Sequence, residues 1–306
     1  MGARIDAVTA LTGHRPRKPS ARRLAGTALR TCLTQAGKTP GDVDMLIDTG
    51  VYREDSMGEP ALAALIQEDI GASTGRQPSG GPGTFSFDLI NGPCGVLTAI
   101  QVESGLLCSG LIKLGAIVTS DVEPGPARKR PDPFRPSAGA MLLTWDDNVP
   151  GFTDFTARTY PEYEDLFTSG LVWRPWRRGT VPGAGSGQNQ MVIEEKPGYR
   201  ARLVDCAEDA ARGFLRDLGI GPAGIDLLAV APAAPDFLDP LASRLGVPGD
   251  RVAYLPEDLG GYTAELIATL HAATRSGRLA EARETVLVAA GPGITVALAR
   301  YRQEPA

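Results

Sequence analysis

The chain has 306 residues, of which 42% are hydrophobic, 22% charged and 6% aromatic, and its formal net charge at pH 7 is −5. This composition is typical of a globular protein and argues against extensive disorder, and the acidic balance argues against general nucleic-acid binding, which needs a basic surface. Because no apolar stretch reaches the ~18 residues of a membrane span and the N-terminus lacks a signal-peptide core, we expect a cytoplasmic protein without membrane or nucleic-acid partners.

The first half of the chain alternates helix and strand. Apolar residues at helical spacing predict a helix from residue 21 to the Ala36-Gly37 pair, followed by a turn at 39–41 and a strand at 44–49. A second helix at 60–70 ends before Gly71, and a strand follows at 85–90. The next helix begins at Cys94 and leads to a strand at 114–119.

The second half repeats this order. A helix ends at Gly219, and a turn at 221–224 leads to a strand at 226–231 and a helix at 240–245. A strand at 251–255, a turn at 259–262, a helix to residue 275 and a strand at 285–290 complete the pass. Two such passes predict a mixed α/β sheet covered by helices, in two halves related by pseudo-twofold symmetry. The alternative is coincidence, because many α/β proteins alternate helix and strand.

The repeat suggests a division of the chain into three parts. We place the first half at 1–150, connecting loops at 151–195 and the second half at 196–306. Gly and Pro concentrate at 74–83, 124–136 and 175–187, a composition that indicates loops bordering a site.

The most informative segment covers residues 85–100, where an apolar strand leads through Gly92-Pro93-Cys94-Gly95 into a helix. Unpaired N–H groups and the positive end of the helix dipole stabilise negative charge, so the pattern predicts a nucleophilic Cys94 with a lowered pKa. The alternative is a small buried packing residue. The spacing of the four cysteines predicts neither a metal site nor a disulfide framework.

The order of elements, the two strands led by Asp44 and Asp226, the Cys94 segment and the closing residues 291–296 resemble the thiolase superfamily. Within it, the β-ketoacyl-acyl-carrier-protein synthase III branch is the most similar. The resemblance extends over residues 20–301. It implies a thiolase fold with αβαβα layers, a homodimer or a heterodimer with a homologous chain, and no cofactor. It also implies that the acyl group arrives on CoA or on the phosphopantetheine of acyl-carrier protein, and that Cys94 receives it.

Departures from the family restrict the chemistry. The family's His-Gln-Ala-Asn segment corresponds to residues 232–235, so Pro232 replaces the histidine, and its Gly-Asn-Thr-Ser segment corresponds to 260–263, so Gly261, after Gly260, replaces the asparagine. In the closing loop, which forms the floor of the pocket, Pro292 lies between Gly291 and Gly293 and offers no N–H. Loss of one preorganised donor typically costs ~10²–10³ in rate. The resemblance therefore implies acyl transfer to oxygen or nitrogen, with the Cys94 N–H as oxyanion donor.

Few residues are available to replace the missing base. Both histidines, His14 and His271, are expected to be structural. Among the acidic residues, Asp236 and Asp258 are the candidates, because a carboxylate can accept a proton from an alcohol or an amine. The alternative for each is a helix cap or a solvated loop residue.

Two basic clusters are candidates for docking a carrier protein or a phosphopantetheine phosphate. Ordinary solvated loop charges are the alternative. The clusters consist of Arg128, Lys129 and Arg130, and of Trp173, Arg174, Trp176, Arg177 and Arg178.

These observations predict an acyltransferase that forms an acyl-thioester on Cys94 and serves a fatty-acid, polyketide or other secondary-metabolite pathway. One alternative is a non-catalytic, ketosynthase-like partner subunit of an intact homologue. A second is a decarboxylative condensing enzyme, a 3-oxoacyl synthase.

Overall fold

The chain has two halves in which helices and strands follow one another in the same order. The computed structural model describes residues 1–11, 20–53, 60–72, 83–122, 135–175, 187–255 and 262–304. The first pass consists of β1 (Gly2–Leu11), α1 (Ala21–Gln35), β2 (Met45–Asp48), α2 (Leu62–Ile70), β3 (Phe85–Asp88), α3 (Gly95–Cys108), β4 (Leu114–Asp121) and β5 (Ser137–Asp146). The second consists of β6 (Gly151–Thr159), the hairpin β7 (Phe167–Pro175) and β8 (Gly187–Glu195), then α4 (Tyr199–Leu218), β9 (Leu227–Ala231), α5 (Pro235–Leu245), β10 (Val252–Ala253), α6 (Glu265–Arg275), α7 (Arg278–Glu281), β11 (Glu284–Gly291) and β12 (Thr295–Arg302).

Ten strands form one sheet in the order β10-β9-β11-β12-β6-β1-β5-β4-β2-β3. The two sets of five have the same internal order and meet where β1 and β6 pair antiparallel, at Ala3 and Phe152. In each set three neighbouring strands pair in parallel, and the next strand, β5 or β12, pairs antiparallel with strands on both of its sides. The predicted repeat is therefore confirmed as two similar halves.

Helices α3 and α6 lie between the two sets of strands. Leu97 of α3 and Leu266 of α6 belong to one buried cluster that also includes strand residues from both halves. A second cluster, which includes Leu29, packs α1 and α2 on the outer face of the first half. A third, which includes Phe214, packs α4 and α5 on the outer face of the second half. The layers follow the order αβαβα, as predicted.

Equivalent helices in the two halves end at glycine for the same reason. Gly71 after α2 and Gly246 after α5 have φ of 78° and 73°, in the left-handed region that favours glycine. The sequence predicted both ends. Among the described residues, none of the helices is both long and apolar enough to cross a membrane.

Residues 151–195, expected to be connecting loops, instead contain three strands. β6 pairs with β12 in the main sheet, and β7 and β8 form a separate two-stranded sheet. The sequence pattern missed β6 because Thr, Asp and Arg interrupt its apolar residues, so that alternation is weak. Another difference is β10, which spans two residues where a five-residue strand was predicted. It pairs with β9 alone, at the edge of the sheet.

Glu103 is a buried acid in the middle of α3. Its side chain is 0% exposed and packs over Gly115 of β4, where an added Cβ would overlap the carboxyl group. Burial raises the pKa of Glu103 well above its usual range. The neutral acid is therefore the form that the folded protein favours.

The raised pKa of Glu103 gives a pH-dependent stability. Its contribution is fully present below the pKa of the unfolded chain and is lost as the pH rises toward the pKa of the folded chain. Relative to Glu103→Gln, we expect the wild type to lose about 1.4 kcal/mol of unfolding free energy per pH unit as the pH rises from the pKa of the unfolded chain toward that of the folded chain. Urea unfolding of both proteins across this range measures the difference. If the unfolding free energies of the two proteins changed equally with pH, the expected neutral state of Glu103 would be contradicted.

Candidate active site

Cys94 lies where β3 leads into the buried helix α3. One 3-10 turn, Gly92–Cys94, makes the connection, and Cys94 is the N-cap residue of α3. Gly92 has a φ of 50°, a left-handed conformation in which a side chain is strained. A Cβ on Gly92 would lie 3.4 Å from the hydroxyl of Tyr262 and 3.6 Å from Cδ of Pro292. The turn is therefore closely covered by residues of the second half.

The Cys94 thiol is fully buried between β11 and β12. Its side chain is 0% exposed, and Sγ lies 3.4 Å from the carbonyl oxygens of both Ala289 and Thr295. Burial raises the pKa of Cys94 from 9.0 to about 12. The prediction of a lowered pKa for Cys94 was wrong. Desolvation of the thiolate raises the pKa by more than the helix N-terminus lowers it, and the nearby carbonyl oxygens favour the protonated thiol.

The main-chain N–H of Cys94 is also engaged. It donates to the carbonyl oxygen of Asn91 over 3.0 Å, as the 3-10 turn requires. The hydroxyl of Thr98 donates to the Cys94 carbonyl oxygen over 3.0 Å. In this structure the Cys94 N–H is therefore not free to act as the oxyanion donor that we expected.

The closing loop between β11 and β12 packs directly on the Cys94 turn. A Cβ on Gly291 would lie 2.9 Å from Cδ of Pro93, so the glycine allows the two segments to touch. Gly293 has a φ of 76° and turns the chain into β12. Pro292 stands between them at the position predicted from the sequence.

A cavity of about 180 Å³ opens beside this turn. Of the residues predicted for the pocket, Pro232, Gly291 and Pro292 line it, together with the candidate base Asp236. The apolar and aromatic part of its wall consists of Pro93, Phe167, Tyr199, Leu203, Phe237 and Tyr262. The cavity reaches Pro93, the neighbour of Cys94. Gly260, Gly261 and Asp258 lie outside the described residues.

Asp236 lies at the half-exposed rim of the cavity. Its carboxylate accepts a hydrogen bond from Arg200 over 2.5 Å, and Arg200 also donates to Glu195 over 3.2 Å. The side chains of Asp236 and Arg200 are 51% and 60% exposed. This arrangement makes Asp236 the partner of a cation at the entrance.

Two further sequence predictions are placed by the structure. Pro232 follows β9 and contributes a ring without a donor to the cavity wall. His271 lies in α6, where Nδ1 is 2.9 Å from the carbonyl oxygen of Val8 in β1. This contact between elements fits the structural role expected for His271. His14 lies outside the described residues.

Most of the predicted docking residues also lie outside the described residues. Trp173 and Arg174 lie on β7, opposite Asn189 and Gln188 of β8. The other six predicted docking residues lie outside the described residues: Arg128, Lys129, Arg130, Trp176, Arg177 and Arg178. Docking through either cluster remains a prediction.

Three tyrosines near Cys94 extend the site beyond the predicted residues. The rings of Tyr52 and Tyr262 lie 4.9 Å apart at an angle of 54°, and Tyr199 and Tyr262 line the cavity. Burial raises the pKa of both Tyr199 and Tyr262 above the usual range, so both phenols keep their protons. Of the three, only Tyr262 directly follows a residue that the family resemblance singled out, Gly261.

Asp121 joins the loops that carry two of these tyrosines. At the end of β4, its buried carboxylate accepts hydrogen bonds from the main-chain N–H groups of Val51 (3.2 Å) and Tyr52 (2.8 Å). It also accepts from the N–H of Thr263 (2.7 Å) and from its hydroxyl (2.6 Å). One buried acid thus fixes the backbone beside Tyr52 and Tyr262 at the boundary between the halves.

The two similar halves, their αβαβα layers and the buried central helix that begins at Cys94 match the thiolase fold that the resemblance implied. No protein-family model matches the chain. Among curated proteins, it is similar to β-ketoacyl-[acyl-carrier-protein] synthase III of Sphingopyxis alaskensis, with 25% identity over 280 residues, which cover 89% of this chain and 80% of that protein.

Solved structures support the same fold. The chain is similar to β-ketoacyl-[acyl-carrier-protein] synthase III of Thermus thermophilus, with a TM-score of 0.78, 20% identity and coverage of 99% of this chain and 100% of the other. It is also similar to OleA of Xanthomonas campestris, with a TM-score of 0.76, 16% identity and coverage of 99% and 98%. The chain therefore has the thiolase fold and is similar to synthase III proteins.

Proposed function

We propose that the chain is an acyltransferase in which Cys94 takes an acyl group from acyl-CoA or acyl-carrier protein and passes it to an oxygen or nitrogen acceptor. The observation that carries the proposal is the position of Cys94 at the start of α3, one residue from the wall of the cavity. Similarity to synthase III proteins supports this class of chemistry. The pathway in this proposal is of the fatty-acid, polyketide or other secondary-metabolite type.

Thioester exchange on Cys94 needs no net proton acceptor. A bond forms between Sγ of Cys94 and the acyl carbon, and the bond between that carbon and the sulfur of CoA or phosphopantetheine breaks. The thiol proton moves to the leaving thiolate. The overall exchange consumes no proton, so an imidazole at position 232 is not required by its stoichiometry. Because Sγ is fully buried against the Ala289 and Thr295 carbonyls, it must leave these acceptors to reach a substrate.

Release of free CoA tests the proposal. The protein is incubated with acetyl-, hexanoyl-, palmitoyl- and benzoyl-CoA, with alcohol, amine and water as acceptors, and free thiol is measured. We expect turnover with at least one acyl group, and its loss in Cys94→Ala. Cys108→Ala, which removes an exposed cysteine, is the matched control and should retain turnover. Equal release by wild type and Cys94→Ala would reject Cys94 as the nucleophile.

A second candidate function is a non-catalytic partner subunit of an intact homologue. The specific observation in its favour is the buried Cys94 thiol, which packs as a small core residue with a raised pKa. No CoA release with any acyl group, together with co-purification of a homologue that carries the family's Cys, His and Asn, would support it. Decarboxylative condensation is the third candidate, and release of CO₂ from a malonyl thioester would support that function.

A further inference from the structure

Tyrosine side chains from both halves meet at the start of α3. Tyr52 belongs to the first half, whereas Tyr199 begins α4 and Tyr262 precedes α6 in the second. Tyr52 and Tyr199 are buried, and Tyr262 is half-buried with its ring against Tyr52. The cavity wall includes the Tyr199 and Tyr262 side chains.

The hydroxyl of Tyr262 faces the turn that ends in Cys94. It would be 3.4 Å from a Cβ on Gly92, the first residue of that turn. Pro292 covers the same point from the closing loop, with Cδ 3.6 Å from that Cβ position. The phenol oxygen therefore lies at the cavity wall beside the nucleophile turn.

Tyr262 is suited to donate a hydrogen bond and unsuited to act as a base. Burial, with Tyr52 and Tyr199 nearby, raises the pKa of its phenol above the usual range, so the group keeps its proton at neutral pH. Two main-chain groups that could supply a donor do not: the Cys94 N–H donates to Asn91, and Pro292 has no N–H. The Tyr262 O–H is hydrogen-bonded to the Tyr52 side chain, and it can fill the role that these groups leave open by exchanging that partner for the substrate oxygen.

We propose that Tyr262 donates the hydrogen bond that stabilises the oxyanion on the thioester carbonyl while the acyl group moves to Cys94. This inference rests on the proposed function. As Sγ attacks, the carbonyl carbon becomes tetrahedral and its oxygen gains charge. The phenol stabilises that oxygen and keeps its own proton, while the thiol proton moves to the leaving thiolate. Preorganisation comes from Asp121, which holds Thr263 and the backbone of Tyr52.

Single-turnover acylation tests the role of Tyr262. The rate of adduct formation on Cys94 is followed by intact-protein mass with acetyl-, hexanoyl- or benzoyl-CoA, whichever acylates the wild type fastest. Tyr262→Phe keeps the ring against Tyr52 and removes only the hydroxyl. We expect acylation about 100-fold slower, with the half-saturating acyl-CoA concentration unchanged, because the bond strengthens in the transition state. The half-exposed Tyr254→Phe is the matched control and should acylate at the wild-type rate.

The outcomes separate this inference from the proposed function. If the wild type is acylated at Cys94 and Tyr262→Phe is acylated within about threefold of its rate, the proposed function stands and the role of Tyr262 is rejected. If the wild type forms no adduct from acyl-CoA or from the corresponding acyl-carrier proteins, both are rejected. Urea unfolding of Tyr262→Phe, expected to match the wild type within about 1 kcal/mol, excludes loss of the fold as the cause of slow acylation.

Discussion

Iodoacetamide is expected to alkylate Cys94 about a thousandfold more slowly than an ordinary exposed thiol near pH 7.5, because the thiolate fraction falls tenfold for each unit of pKa. The physical cause is burial, which raises the pKa of Cys94 from 9.0 to about 12. Carbonyl oxygens of Ala289 and Thr295 add to the effect, since they accept from the protonated thiol and repel a thiolate. The native protein should therefore hold Cys94 as a thiol.

Peptide mapping after timed alkylation measures this effect. Exposed Cys108 at the end of α3 serves as the internal reference within the same protein. We expect the Cys94 rate to rise about tenfold per pH unit through the alkaline range. Rapid alkylation of Cys94 that is independent of pH above neutrality would instead reveal the stabilised thiolate that the helix N-terminus predicted from the sequence.

Asp121→Asn is expected to destabilise the protein by about 3 kcal/mol, because an amide cannot accept all four hydrogen bonds and turns N–H groups toward buried donors. The lost partners are the N–H groups of Val51, Tyr52 and Thr263 and the hydroxyl of Thr263. These bonds connect the first half to the second, so the loss should be cooperative. Urea unfolding followed by circular dichroism measures it.

Asp165→Asn is the matched control for Asp121. Asp165 is exposed and pairs with Lys196 over 3.4 Å, so its replacement should change the unfolding free energy by less than about 1 kcal/mol. An Asp121→Asn protein as stable as the control would show that the carboxylate does not hold the two loops together.

The sequence predicted the fold well because local patterns of apolar residues and glycines indicate most of the helices and strands. Helices α2 and α5 end at Gly71 and Gly246, and the spacing of apolar residues around them indicates their type and their place in the repeat. Where a strand depends on pairing more than on its own pattern, the prediction was poorer. β6 was missed among polar residues, and β10 was overestimated because β9 supplies only a short edge contact.

The candidate site was predicted in part. Pro232, Asp236 and Gly291 do lie around one cavity, because the first two follow β9, Gly291 ends β11, and these parallel strands end at the same edge of the sheet. The state of the Cys94 thiol was not predictable, because its neighbours come from β11 and β12, far away in the chain, and no local pattern records that burial. For the same reason Tyr199 carried no signal: only the fold brings it to the cavity.

The central claim is that Cys94 carries an acyl group during the reaction. Intact-protein mass after brief exposure to acyl-CoA, followed by peptide mapping, tests it most directly. We predict a mass increase equal to one acyl group, located on the peptide that contains Cys94 and absent from Cys94→Ala. An adduct confined to Cys108, or no adduct with the acetyl, hexanoyl, palmitoyl and benzoyl thioesters of both CoA and acyl-carrier protein, would contradict the claim.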